Sequence, residues 1–281
     1  MENSEIISTD VKNNRNNCAN DHKIDELLPI ILKIGNTEII FILGSKIIAE
    51  HTISAFAENS VRNYPSEHWL LILIDDDEKR HKIFQDQIEQ KCADIIPVVC
   101  ILTQFKTFFQ RFKNGNRFAR KVVEDCSIIY NKNKVVEEWK SLSGEIEPSS
   151  FTVDAPLNPG LFKEYLAGAD LYTIRKQYRL AIFMFHQAAE LLLTTFIEKQ
   201  TSLQLHTHNI NHLSNYLSFL YPTTAEQFRG TTAFEKECFR LLQKSYTAAR
   251  YDADFTVSYK HLQIIQIKLK LLYKHFSRAT T

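Results

Sequence analysis

Apolar and polar positions follow two different rhythms along this chain, and the rhythm changes between residues 141 and 160. Before that stretch, short apolar runs stand between helix-like segments. Glu38 to Leu43 is rich in β-formers and ends in Gly44-Ser45. Trp69 to Ile74 is apolar throughout and closes on Asp75-Asp76-Asp77. Ile95 to Leu102 is rich in Ile and Val. Runs this short and this uniformly apolar read as strands buried on both faces. Helical spacing is read at about 46–62, 79–93, 104–113 and 117–126; in the second of these, Ile83, Ile88 and Cys92 recur at roughly helical intervals. Strands alternating with helices predict a small α/β sheet.

Residues 141–160 gather Ser141, Ser143, Gly144, Pro148, Ser149, Ser150, Pro156, Pro159 and Gly160. Turn formers without apolar periodicity predict a linker. Beyond it the period is helical. Helix one, about 160–174, aligns Phe162, Tyr165, Leu166 and Ala169. Helix two, about 176–199, is apolar almost all round, as a central bundle helix is. Helix three is short, about 209–220. Helix four, about 233–250, presents Phe234, Cys238, Leu241, Leu242 and Ala249. Helix five, about 257–277, carries one stripe at Leu262, Ile265, Leu269, Leu272 and Phe276, and a second at Ile264, Ile267 and Leu271. Two stripes need two partners: its own bundle supplies one, and a second copy of the chain or the N-terminal domain the other. The expected layout is a disordered tail over 1–21, a sheet domain over 22–140, a linker over 141–159 and a helical bundle over 160–277. The expected fold class is α+β.

Composition sharpens this only in places. Of 281 residues, 44% are hydrophobic and 24% charged, and the formal net charge is +1. That balance excludes a uniformly basic nucleic-acid clamp and leaves room for a local patch. No uninterrupted apolar run approaches the ~18 residues that span a bilayer, so no membrane partner is expected. Met1 to Asp21 is polar and Asn-rich, without the apolar core of a secretory signal. The five cysteines, Cys18, Cys92, Cys100, Cys126 and Cys238, show no C-x-x-C spacing. Reduced thiols in a cytoplasmic protein are expected.

Four clusters carry candidate chemistry. Gly44 and Ser45, at a strand end, have the backbone freedom and hydroxyl that suit a phosphate, and also suit a simple turn. Asp75 and Asp77 offer carboxylates to a magnesium ion, or form a solvated turn and helix cap. On helix two, Arg179, His186 and Glu190 share one face. They read either as a buried hydrogen-bonding stripe, with Glu190 facing Arg250 or Tyr251, or as a proton-transfer His beside an orienting Glu, with Arg on a phosphate. His208 and His212 stand four apart and have metal-ligand spacing, or supply a cap and a core contact. No metal site is expected.

The segments Tyr178 to Glu190, His208 to Leu213 and Ala249-Arg250-Tyr251, in this helix order, resemble the HEPN domain, an all-α bundle that often dimerises and that in some branches cuts RNA. Those branches carry Arg, four to six residues, then His; at those distances from Arg250 this chain has Phe255, Thr256 and Val257. The order of strands and helices around Gly44-Ser45 resembles a minimal nucleotidyltransferase domain. That family binds two magnesium ions through Asp-x-Asp on its second strand. Here Glu67 stands at the first position and Trp69 at the second, and an indole has no oxygen to offer. The pair resembles a bacterial fusion of a degenerate nucleotidyltransferase-like domain with a HEPN domain. The resemblance implies a non-catalytic nucleotide-binding or protein-interaction module that forms a homodimer, with a nucleotide, with or without magnesium, or RNA as ligand. The enzyme alternatives are a metal-independent ribonuclease centred on Arg250, with His186 and Glu190, and a divergent nucleotidyltransferase using Gly44, Ser45, Glu67, Asp75 and Asp77.

Overall fold

The computed structural model describes residues 22–52, 60–75, 81–144, 146, 159–203, 205 and 207–279. The chain divides into two compact units, Met1–Ser150 and Phe151–Thr281. The fold is α+β: a small mixed sheet with helices in the first unit and helices alone in the second.

In the first unit, α1 (His22–Ile34) precedes two long strands, β1 (Thr37–Thr52) and β2 (Ser60–Ile74). They are followed by α2 (His81–Cys92), β3 (Val98–Gln104), α3 (Phe105–Lys113), α4 (Arg117–Asp125), β4 (Ser127–Asn131) and α5 (Val135–Ser143). The strand order is β3-β2-β1-β4; β1 runs antiparallel to β2 and β4, and β2 parallel to β3. The strands alternate as a doubly covered sheet must. Ile40, Ile42, Leu70, Ile72 and Ile74 join Leu27, Ile31 and Ile88 of α1 and α2 in one cluster. Phe41, from the other parity of β1, meets Phe108 of α3, which packs with Trp139 of α5.

One expectation is overturned here. The segment after Gly44-Ser45 does not turn into a helix over 46–62. β1 continues to Thr52, and β2 already begins at Ser60. The helix-like spacing of Ile47, Ile48 and Ala49 yields to cross-strand pairing, in which Ile48 stands opposite Tyr64 and Ala49 opposite Asn63. A strand-to-helix phosphate turn therefore does not form at Gly44. β4 and α5, which the sequence reading had not separated, complete the unit.

The second unit consists of α6 (Pro159–Ile174), α7 (Tyr178–Thr201), α8 (Ile210–Leu220), α9 (Pro222–Arg229), α10 (Ala233–Tyr251) and α11 (Tyr259–Ala279). α9 had not been anticipated. Pro222 opens it, where a missing N–H costs nothing. Gly230, at φ 105°, ends it; a Cβ there would lie 2.5 Å from Glu235 Cβ. Thr232 and Glu235 then form a capping box that starts α10. α7 is the central helix and packs against α6, α8, α10 and α11. Its mean hydropathy reaches 1.6 over an 18-residue window despite the charged positions that interrupt it, so by length and composition it suffices to cross a bilayer. More than half of that window, 56%, is buried inside the unit.

Candidate functional site

The polar stripe of α7 meets α10 and the loop before α8. His186 is fully buried, and its Nδ1 lies 2.9 Å from the Leu242 carbonyl oxygen on α10. A carbonyl only accepts, so Nδ1 carries the proton in the neutral ring and Nε2 presents a lone pair. Nε2 lies 3.7 Å from Glu190 Oε2, one helical turn on. Neither atom has a hydrogen-bond partner. The other carboxylate oxygen, Glu190 Oε1, is 2.7 Å from Nδ1 of His208. His208 lies nearly parallel to Tyr246, with ring centroids 5.0 Å apart, and His186 meets the same ring at 5.3 Å.

The expected pairing of Glu190 with Arg250 or Tyr251 does not occur. Arg250 is exposed, donates from Nε to its own helix at Tyr246 O over 2.8 Å, and lies over the Tyr246 ring at 4.5 Å. Tyr251 is 79% exposed. Glu190 has instead taken the two histidines. The four-residue spacing pairs His208 with His212 in the sequence, and no carboxylate is near it in the chain. Its true partner lies 18 residues earlier, across the bundle.

Arg179 leaves the stripe altogether. Its guanidinium reaches the C-terminal end of α10, donating to the carbonyls of Asp252 at 2.6 Å, Ala249 at 3.2 Å, Ala248 at 3.3 Å and Ala253 at 3.3 Å. A fixed cation there satisfies orphan carbonyls and opposes the negative end of the helix dipole. Beside it opens a cavity of about 480 Å³, with Lys176, Tyr178, Arg179, Phe255, Thr256 and Val257 in its wall.

Burial pushes the His186 imidazole below its ordinary pKa. Leu242 and Glu190 act the other way, as does the nearby His208 backbone, which makes no hydrogen bond to Nε2. The unfolded chain therefore takes up this proton more readily. Stability from this group is complete above the ordinary histidine pKa near 6.5 and is lost as pH falls below it toward the depressed folded value. Urea midpoints at pH 8 and pH 5.5 should fall further for the wild type than for His186→Gln. Equal falls would rule out His186 as the source.

In the first unit, the candidate residues Gly44, Ser45, Glu67 and Asp75 do not build one site. Gly44 pairs with Trp69 across the hairpin, and a Cβ on it would lie 3.1 Å from the indole. Ser45 Oγ is 2.7 Å from Nδ1 of His68, a fully buried ring. Glu67 stands opposite Lys46. Asp75 ends the same strand eight residues on, roughly 26 Å from Glu67 at strand rise, so the two carboxylates do not share a metal. Asp77 lies outside the described residues. Among those residues, no three His, Cys, Asp or Glu side chains are gathered in metal-binding geometry. Cys92, Cys100 and Cys238 are buried and Cys126 is half-buried. Burial raises Cys92 and Cys238 to about 11 and Cys100 well above its ordinary value.

The Glu190–His208 contact between α7 and the loop before α8, and the Arg250-Tyr251 end of α10, lie within a stretch that one family model matches, residues 163–266. This stretch is a HEPN domain. No curated protein matches the chain. The HEPN domain thus contains both the polar cluster and the cavity, whereas the N-terminal sheet lies outside the matched region.

Proposed function

We propose that the chain is a non-catalytic nucleotide-binding and protein-interaction module of the bacterial cytoplasm, in which a degenerate nucleotidyltransferase-like domain is joined to a dimerising HEPN domain. One observation carries the non-catalytic reading. The positions four to six residues beyond Arg250, where RNA-cutting relatives place histidine, are Phe255, Thr256 and Val257, and all three line the cavity beside Lys176 and Tyr178. None of them transfers a proton at neutral pH. The cavity retains a cation and an aromatic ring, which suit a phosphate and a base. Calorimetry with ATP and GTP, with and without magnesium, should show binding, while labelled RNA stays intact and ATP leaves no label on the protein. Absence of any nucleotide heat or thermal shift sinks the nucleotide reading. RNA cleavage lost in Arg250→Ala sinks the non-catalytic one, and ATP self-labelling lost in Glu67→Ala restores the nucleotidyltransferase.

A second reading rests on His208. This ring is 63% exposed, and its Nδ1 is held by Glu190 at 2.7 Å. A ribonuclease with a non-standard base would use such a dyad, with Arg250 on the phosphate. Cleavage that depends on both His208 and Arg250 would establish it.

Self-association is supported by the outer faces of α6 and α11. These helices run side by side: Phe162 stacks on Tyr273 at 4.7 Å, and Gln266 donates to Asp170. Leu171 and Ile174 on one, Ile267 and Leu271 on the other, are 51–79% exposed. α11 has no acidic residue, so two copies of it face to face would oppose Lys270 and Lys274 to themselves. α6 carries Glu164 and Asp170, so a twofold contact of α6 on the partner's α11 buries the apolar residues and matches charge. Full-length protein should scatter light as a dimer, and Ile267→Glu as a monomer. A monomeric wild type overturns this part.

A further inference from the structure

We propose that the corner formed by α3 and α4 is a docking surface for the sugar-phosphate backbone of duplex DNA. The chain as a whole is balanced, with 34 basic and 33 acidic residues, but the balance is not local. From Phe105 to Val123 stand Lys106, Arg111, Lys113, Arg117, Arg120 and Lys121, and no Asp or Glu. The fold turns four of these cations outward. Phe108 and Phe112 of α3 are buried, as are Ala119, Val122 and Val123 of α4. Helical periodicity then leaves Lys106, Gln110 and Lys113 on the outer side of α3, and Arg117 and Lys121 on the outer side of α4, all of them exposed. Three residues, Asn114 to Asn116, join the helices. Gly115 takes φ 72° there, and Asn116 caps α4 by accepting from Ala119 N at 3.0 Å. The cations therefore follow one another across a fixed turn. The acidic residues beyond it do not cancel them. Glu124 takes Arg120 at 3.3 Å. Asp125 meets Lys121 at 3.2 Å, but Lys121 is 73% exposed, and so exposed a pair gives way readily to phosphate. Arg111 is half-buried; burial lowers its guanidinium below the ordinary value, and no carboxylate among the described residues acts against that.

Cations attract any polyanion, and the rest of the surface selects among them. The exposed side chains of the two helices are all polar or charged: besides the cations they are Gln110 and Glu124. Neither a peptide nor a bilayer finds an apolar anchor there. The rings of α3, Phe105, Phe108, Phe109 and Phe112, pack against Trp139. They are not offered to bases, whereas binding of single strands relies on such stacking. What remains is a surface for phosphates held at regular intervals. Lys106 and Lys113 stand about 10 Å apart along α3 at helical rise, close to three steps of one strand at ~3.4 Å along a duplex axis. A helix with its side chains is about 10–12 Å across, and the major groove of B-form DNA is ~12 Å wide, whereas A-form RNA narrows it. This surface belongs to the first unit and is independent of the nucleotide and dimer readings.

The test is fluorescence anisotropy with full-length protein and a labelled DNA duplex of about 20 base pairs and mixed sequence, over salt from about 50 to 200 mM. The logarithm of the binding constant should fall with log salt at a slope of about −3 to −4, as four phosphate contacts require. Lys113→Gln combined with Arg117→Gln changes exposed side chains only. It should reduce that slope by about 2 and weaken binding roughly tenfold or more. Lys33→Gln combined with Lys91→Gln makes the same charge change on α1 and α2, across the sheet, and should leave binding as it was. Absence of duplex binding at the lowest salt overturns the surface. Equal losses in the two double variants overturn it too, because net charge would then explain the effect. So does loss of binding in Arg250→Ala, which would place the duplex on the HEPN domain. Equal or tighter binding of polyglutamate, phosphatidylserine vesicles, single-stranded DNA or an RNA duplex overturns the choice of partner.

Discussion

Arg179→Leu is expected to lower the stability of the helical unit by about 2–4 kcal/mol, the range for charge-assisted hydrogen bonds at a helix end. The guanidinium donates to four carbonyls, of Ala248, Ala249, Asp252 and Ala253, and the shortest contact is 2.6 Å. These are the last acceptors of α10 and the first of the loop that leads to α11. Leucine removes the donors; the carbonyls of Asp252 and Ala253 are exposed and can turn to water, whereas those of Ala248 and Ala249 are part-buried. Arg179→Lys should recover less than half of the loss, because an ammonium has no planar fork to span several carbonyls. Urea denaturation followed by circular dichroism decides it. A loss under 1 kcal/mol, or full recovery by lysine, would show that the carbonyls do not depend on this side chain. Since Arg179 also lines the cavity, nucleotide binding should weaken with it.

Phe196→Ala should cost about 3–5 kcal/mol, the usual range for a large buried ring cut to a methyl group. Phe196 lies in the middle of the central helix, fully buried, and stacks on the equally buried Phe276 of α11 with centroids 3.6 Å apart and planes 1° apart. Tyr221 closes a third side at 5.2 Å. The site is lined by rigid rings from three segments, so it cannot collapse fully, and a cavity term adds to the lost transfer energy. Phe196→Leu should lose much less. Leu180→Ala, on the 42% exposed side of the same helix, should change stability by no more than about 0.5 kcal/mol. If the two alanine variants unfold together, α7 is not the centre of the core.

The helical unit was legible because its signals are local. Leu262, Ile265, Leu269, Leu272 and Phe276 recur by threes and fours, and all five are buried. The runs Trp69–Ile74 and Ile95–Leu102 announced a doubly covered sheet, although β2 extends earlier and β3 begins at Val98. The long hairpin was not legible. Its residues 46–52 read as the start of a helix, and they become a strand because the facing segment pairs with them. Propensity lost to tertiary context there. The polar cluster was half legible. His186 and Glu190 shared a face by arithmetic, but nothing near them in the chain points to His208, Leu242 or Tyr246. Arg250 misled because a cation at the end of an apolar helix suggests a buried pair, whereas a ring on its own helix satisfies it.

α7 carries one more consequence, for the order in which the protein is made. Among the described residues it is the helix long and apolar enough to cross a bilayer, and its cover includes α8, α10 and α11, all of which leave the ribosome after it. During synthesis of the following ~80 residues, which takes roughly 4–16 s at ordinary elongation rates, Tyr178–Thr201 stands without its full complement of neighbours. In that interval it presents targeting factors and chaperones with the signature of a membrane segment. The charged residues within it, Arg179, Glu190, Glu198 and Lys199, then act at a second level, because each raises the cost of mistaken insertion before the fold exists to prevent it.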